Sequence, residues 1–219
     1  MKFHIIECNS KITFEEFIST LVKDSIDHFL NIKFDNITLT ATFYKEIKRT
    51  EKTVDKDGKE NLISFDYYLY QGFSFHNINN RLFLVVNEPN KHTKHFLEFI
   101  HSIFRMKISF INKQIDLKSF IVKAKKLNHF HVLKARFNEL PLSKNSKGSL
   151  EVTSTENAIL DFEKIFGDIY YDLAKVKFSY LDEVTYTIEL SKNGLIFASK
   201  NSELRLKTVS KLIALLFFI

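Results

Sequence analysis

Eight histidines and a scatter of carboxylates could do chemistry in this 219-residue chain, and their spacing decides what kind. His92 and His95 stand three apart, on neighbouring sides of a helical turn, while His129 and His131 stand two apart, on one side of a strand. A zinc site needs three or four convergent ligands, and the single cysteine, Cys8, cannot build a thiolate cluster. Neither pair has an acidic or third ligand at motif spacing, so we read them as solvated or packing histidines. Asp35 followed by Glu46-Ile47-Lys48 imitates the Asp…Glu-x-Lys set of metal-dependent nucleases. In those enzymes carboxylates hold Mg²⁺ while the lysine positions water or stabilises charge. That pattern is permissive in a chain with 26% charged residues, and here it runs into a charged hairpin arm. No Gly-x-Ser-x-Gly elbow, Walker A loop or dinucleotide fingerprint occurs. The sequence therefore calls for no metal and no cofactor, and it names no catalytic residue.

The basic clusters carry more. Lys45, Lys48, Arg49 and Lys52 lie on one arm of a predicted hairpin, with Lys56 and Lys59 around its turn. Lys123, Lys125 and Lys126 close a predicted helix just ahead of Lys134 and Arg136, and Lys144 and Lys147 sit in a polar stretch. Aromatics interleave with charge at Phe43, Tyr44, Phe65, Tyr67, Tyr68 and Tyr70; a sheet exposing such rings can stack bases while lysines neutralise phosphates. A net charge of +6 and a pI near 9.2 attract an acidic partner or nucleic acid, DNA or RNA, without selecting one. Glu46, Glu51, Asp55 and Asp57 dilute the first cluster, and lysines at a helix C-terminus also complement its dipole. The 23 phenylalanines, beside abundant Lys, Asn and Ile, fit the codon bias of an A/T-rich genome.

A third surface is the chain end. Leu212-Ile-Ala-Leu-Leu-Phe-Phe-Ile219 is eight apolar residues in a row. A helix apolar all round must be buried, in its own fold or against another chain. Leu212, Leu215, Leu216 and Phe218 are the candidate residues for a protein partner or for self-association. The run is too short to cross a bilayer, no leader is legible at the N-terminus, and one cysteine fits a reducing compartment. The expectation is a cytoplasmic protein with no membrane partner.

The elements that must position these residues can be read from periodicity. Residues 2–7 form a strand, and Thr13-Phe-Glu-Glu16 matches a capping box that starts a helix reaching about Leu30. Alternation from Lys33 onward gives strands, with a long hairpin turning at Asp57-Gly58, further strands at 61–70, 72–77 and 81–86, and a helix at 91–104. Then come a strand at 106–111, a helix from Asp116 to Leu127, a strand at 129–138 and a loop at 143–148. A strand at 150–153 leads into a helix bearing Ile159, Leu160, Phe162 and Phe166. Strands at 175–180, 184–190 and 194–199 follow, the last two joined by Asn193-Gly194, and a helix covers 203–219.

One echo organises this list. The strand at Leu82–Val86 and the helix bearing Phe96, Phe99, Ile100, Ile103 and Phe104 recur without a gap 113 residues later, as Leu195–Ser199 and then Val209, Leu212, Ile213, Leu216 and Phe217. The predicted class is α+β, in two similar halves at 1–105 and 106–219, each an antiparallel sheet with two helices packed as one unit. In order of elements each half resembles the repeated half of the TATA-binding-protein shape, or a tandem ferredoxin-like arrangement, as an analogy of topology. The expected function is a non-enzymatic binding module or accessory subunit that contacts nucleic acid or docks into a larger assembly. The alternatives are a small tandem ferredoxin-like RNA-processing nuclease, with His4, His28 or Lys48 as acid or base, and a subunit of a mobile-element or antiviral defence system. Against the nuclease, the glycine-rich C-terminal loop of CRISPR repeat-processing endoribonucleases is absent.

Overall fold

The first strand, β1 (Lys2–Ser10), carries apolar side chains on both faces, and the chain builds a core on each. The computed structural model describes residues 1–24, 26–111, 114–199 and 206–218. After β1 come α1 (Phe14–Asp24), a 3-10 turn (Ile26–His28), β2 (Phe29–Phe34), β3 (Thr38–Val54), β4 (Glu60–Ile78), β5 (Arg81–Asn87) and α2 (Thr93–Ile103). The chain continues through β6 (Ile108–Ile111), α3 (Leu117–Ala124), β7 (His131–Ser143), β8 (Ser146–Thr153) and α4 (Ala158–Phe166). It closes with β9 (Asp172–Leu181), β10 (Thr185–Ser191), β11 (Leu195–Ala198) and α5 (Leu206–Phe217). The class is α+β. One large antiparallel sheet runs β2-β3-β4-β5-β1-β11-β10-β9-β7-β8, with β6 paired to the far end of β1.

Period-two alternation sorts the central strands between two cores. Ile6 and Cys8 of β1, with Leu82, Leu84 and Val86 of β5, face α1 and α2, where Phe17, Leu21, Phe96 and Ile100 close the first core. Phe3, Ile5, Phe83 and Val85 face the other way, into a core completed by Phe120, Phe162, Val209 and Ile213 of α3, α4 and α5. Both cores are phenylalanine-rich: Phe17 stacks on Phe104 at 4.6 Å, and Phe137 on Phe162 at 3.9 Å. Emptying one such site, as in Phe162→Ala, costs about 3–5 kcal/mol. Only the middle of the sheet is thus sandwiched. Strands β5 and β11 flank β1, and the helices that follow them, α2 and α5, lie against opposite faces.

Local signals behave as their chemistry dictates. The backbone N–H of Thr13 donates to Glu16 Oε2 at 3.0 Å and that of Glu16 to Thr13 Oγ1 at 3.2 Å, closing the capping box. Several predicted boundaries shift; the helix expected to reach Leu127 ends at Ala124, and the strand expected at 129–138 runs from His131 to Ser143. The first helix stops at Asp24 instead of about Leu30, because Phe29 is drawn into the core against Phe73 and Phe43 as the start of β2. The separate strands at 61–70 and 72–77 are one strand, β4, running straight through Gly72. The loop at 143–148 shrinks to a turn at Lys144–Asn145 between β7 and β8. Of the predicted final helix, residues 203–205 and 219 lie outside the described residues.

The chain end docks on the sheet. Leu212 is buried, and Leu215, Leu216 and Phe218 are half-buried against the second core. His76 of β4, fully buried, holds α5 in place through Ser210, whose Oγ lies 3.0 Å from Nδ1, and its Nε2 lies 2.8 Å from Ser74 Oγ. Arg81 pairs with Glu7 and donates from Nη1 to the Phe217 carbonyl at 3.1 Å. Its guanidinium also lies 4.8 Å from the Phe218 ring and 5.5 Å from that of Phe83. No helix among the described residues is long and apolar enough to cross a membrane.

Candidate nucleic-acid interface

Strands β7 to β11 carry helices on one face, where Val132, Ala135, Val176, Phe178, Ile188 and Ile196 are buried. The alternate residues stand on the other face, which no helix covers among the described residues. Strand register sets them in rows. One row crosses six strands: Thr153, Lys134, Lys177, Glu189, Phe197 and Lys2, each the cross-strand partner of the next. The adjacent row is Glu151, Arg136, Lys175 and Ser191. Six strands at about 4.8 Å make the longer row about 24 Å across.

The electrostatics of this face run against folding convenience. Lys134 stands opposite Lys177, and Arg136 opposite Lys175. Like charges directly opposed across strands are destabilising. Two acids offset part of this: Lys134 meets Glu151 at 2.6 Å and Lys175 meets Glu189 at 2.9 Å. The Glu151 carboxyl is held below its ordinary range, chiefly by its hydrogen bond from Lys134. Arg136 and Lys177 have no ion-pair partner within 4 Å among the described residues, and both are exposed. Phe197, 38% exposed, lies under two ammonium groups, Lys2 at 5.6 Å and Lys175 at 6.0 Å. The face thus offers five cations against two acids, with one phenyl ring, the exposed His131 imidazole opposite Ser179, and a fringe of hydroxyls from Thr153, Ser179, Thr187 and Ser191.

The predicted basic residues divide among three places. Lys134 and Arg136 belong to this face, and sequence spacing links them to Lys123, Lys125 and Lys126. Those three stand on α3 and the turn after it, on the helix-bearing side, so the fold separates them from the β7 pair. Lys45, Lys48, Arg49 and Lys52 stand on the projecting part of β3, where Lys48 meets Glu46 at 3.9 Å, Arg49 meets Glu51 at 2.9 Å and Lys52 meets Glu60 at 3.2 Å. Residues 44–70 carry six cations and six acids, so the arm is neutral overall. Lys2, Lys175, Lys177 and Phe197 were not singled out by sequence. The signal that could find them is the alternation Lys175-Val-Lys177-Phe-Ser179, which puts two lysines on the wet side of one strand.

The remaining chemical candidates resolve locally. Asp35 accepts from the N–H groups of Ile37 and Thr38 and from the Thr38 hydroxyl at 2.7 Å, a turn cap whose bonds keep the carboxyl below its ordinary range. Glu46 lies eight residues up β3 from Thr38, about 26 Å away, so Asp35 and Glu46 share no site. His92 and His95 stack at 6.3 Å, with His95 3.6 Å from Glu98. Among the described residues no three His, Cys, Asp or Glu side chains converge as metal ligands. His4 lies 3.0 Å from the Asn193 carbonyl, and burial lowers its pKa. His28 packs edge-on to Phe99 at 4.7 Å. Burial pushes the Cys8 thiol well up, away from the thiolate a nucleophile needs. A cleft of about 560 Å³ between the N-terminus of α1 and the ends of β1 and β5 is lined by Glu7, Asn77, Asn80 and Arg81, but Glu7 and Arg81 are spent on each other.

The chain matches no protein-family model and no curated protein sequence.

Proposed function

We propose that this protein is a non-enzymatic binding module whose open sheet face, β7 to β11 with the start of β1, contacts the phosphate backbone of nucleic acid. The observation that carries the reading is the double opposition of cations, Lys134 with Lys177 and Arg136 with Lys175. A fold that sets like charges against each other forgoes stability that an anionic ligand restores, and such local conflicts concentrate at functional sites. Lys2, Arg136 and Lys177, which make no ion pair among the described residues, supply the cations for phosphate, and Phe197 offers one ring for a base. Contacts of this kind are salt-sensitive and weakly specific. A single strand laid across the rows fits a flat, shallow face with one stacking ring better than a duplex does.

The same reading keeps the chain as two halves, 1–105 and 106–219, descended from one α+β unit of the TATA-binding-protein or ferredoxin-like kind. The gapless echo and the placement of its two strands, β5 and β11, on either side of β1 support it. In this view the second half serves the ligand, and a cytoplasmic setting is expected. The test is fluorescence anisotropy with labelled single-stranded DNA and RNA oligonucleotides at low salt. Three cations outside ion pairs predict a slope of log K against log[salt] of about −2. Arg136→Glu with Lys177→Glu should weaken binding at least tenfold, while Lys123→Glu with Lys126→Glu, on the helix side, should change it less than twofold. Equal losses from both pairs, or no binding by the wild type at low salt, would remove the proposal.

A further inference from the structure

The hairpin of β3 and β4 outgrows the sheet. β2 pairs with β3 only as far as Phe43, and β5 pairs with β4 only from Phe73. Tyr44–Val54 and Glu60–Tyr70 therefore form a two-stranded ribbon, 11 residues long on each side and about 36 Å in reach, with both outer edges unpaired among the described residues. An exposed strand edge is a template for another strand unless something guards it. The two edges of this ribbon differ. The β3 edge bears Lys45, Lys48, Arg49 and Lys52. The β4 edge has no Lys, Arg or Pro from Glu60 to Tyr70, and Leu62, Ile63, Phe65, Tyr68 and Tyr70 stand 41–69% exposed along it.

We propose that this unguarded β4 edge pairs with the same edge of a second copy, antiparallel, about a two-fold axis at Phe65. Such an axis keeps each side chain on its own face, so the partners it brings together must share the parity of the strand. Centred on Phe65, it sets Ile63 against Tyr67 and Asn61 against Leu69 on one face. On the other it sets Leu62 against Tyr68, Ser64 against Asp66 and Glu60 against Tyr70. The apolar residues meet, and the two acids of the strand never meet each other. Centring on Ile63 opposes Glu60 with Asp66, and centring on Asp66 opposes that residue with itself, so charge argues against both of those registers. The resulting four-stranded ribbon has the lysine-bearing β3 edges outermost, which stops growth at two copies. The second copy is the occupant the edge fits, because its pattern is self-complementary and the assembly closes.

Sedimentation of the full chain from about 1 to 200 µM tests this, the range suiting an interface at the small end of the specific class. The weight-average mass should rise from 25.8 kDa toward twice that value. Phe65→Lys places two ammonium groups across the axis and should raise the dimer dissociation constant at least tenfold. At about 1 µM, where the chain is monomeric, its thermal midpoint should not move, since Phe65 lies outside both cores. Phe65→Cys should form a disulfide-linked dimer under mild oxidant much faster than Thr50→Cys on the neighbouring strand, with the buried Cys8 taking no part. A monomer at every concentration, or equal cross-linking of the two cysteine variants, overturns the proposal.

Discussion

Acid should unfold this protein earlier than its carboxylates alone require, and His76 is the reason. Its imidazole has no exposed surface and sits between Ser74 and Ser210, joining β4 to α5. Burial lowers its pKa from the ordinary 6.5 to about 4, with a small opposing pull from Asp35. The folded state therefore binds the proton less readily than the unfolded chain. Its contribution is complete above the unfolded pKa and is lost as pH falls through 6.5 toward 4. Linkage between those two pKa values gives a loss of about 2 kcal/mol on going from pH 7 to pH 5. The assay is urea denaturation of the wild type and of His76→Gln at both pH values. The amide of glutamine retains a polar contact but cannot titrate, and every other ionisable group is common to the two proteins. The wild type should lose about 2 kcal/mol more than the variant, or about 4–8 °C in thermal midpoint for a chain of this size. Losses that agree within about 0.3 kcal/mol would show that His76 titrates normally in the folded state, and the burial argument would fail.

Other perturbations follow from single contacts. Gly194, at φ +81, would bring an added Cβ within 2.5 Å of the Ile5 carbonyl oxygen, so Gly194→Ala should cost about 2–4 kcal/mol in chemical denaturation and loosen β11 from β1. Arg81→Ala strips Glu7, whose side chain is 11% exposed, of its partner and leaves the Phe217 carbonyl without its donor; a loss of about 3 kcal/mol is expected, and one below about 1 kcal/mol would contradict the docking described for α5. Lys177→Gln relieves the opposition to Lys134, so it should raise stability by up to about 0.5 kcal/mol at low salt while weakening oligonucleotide binding. High salt should erase that stability gain, which thermal melts at two ionic strengths will read.

Much of the local structure was legible because its causes are local. The capping box at Thr13 and Glu16, the Asp116 cap on the Ser119 N–H and the Asn193-Gly194 turn rest on groups within three residues of each other. Alternation announced β3 as far as Phe43, since one face of that strand meets the first core. Two errors have a common origin. Residues 26–30 continue a helical pattern, yet Phe29 gains more from the aromatic cluster with Phe43, Phe73 and Phe99 than a further helical turn could supply. Gly72 suggests a break, yet its neighbours on either side are already paired across β3. Long-range burial overrode local preference in both places.

The cationic sheet face was half legible. Lys134 and Arg136 were found as a cluster, but sequence proximity grouped them with Lys123, Lys125 and Lys126, which the sheet separates from them. Their true neighbours, Lys175 and Lys177, lie about forty residues on and arrive only through antiparallel pairing of β9 with β7. Lys2 comes from the other end of the chain, by way of β1 and β11. The sequence by itself determined the α+β class, the strand and helix types, the basic balance and the need to bury the last helix. All of these follow from periodicity and composition, which are properties of residues and their near neighbours. Only the tertiary structure decided which face of the sheet stays open and which cations share it. That outcome depends on strand order and on where each helix lands, and both are set by packing between residues far apart in the chain.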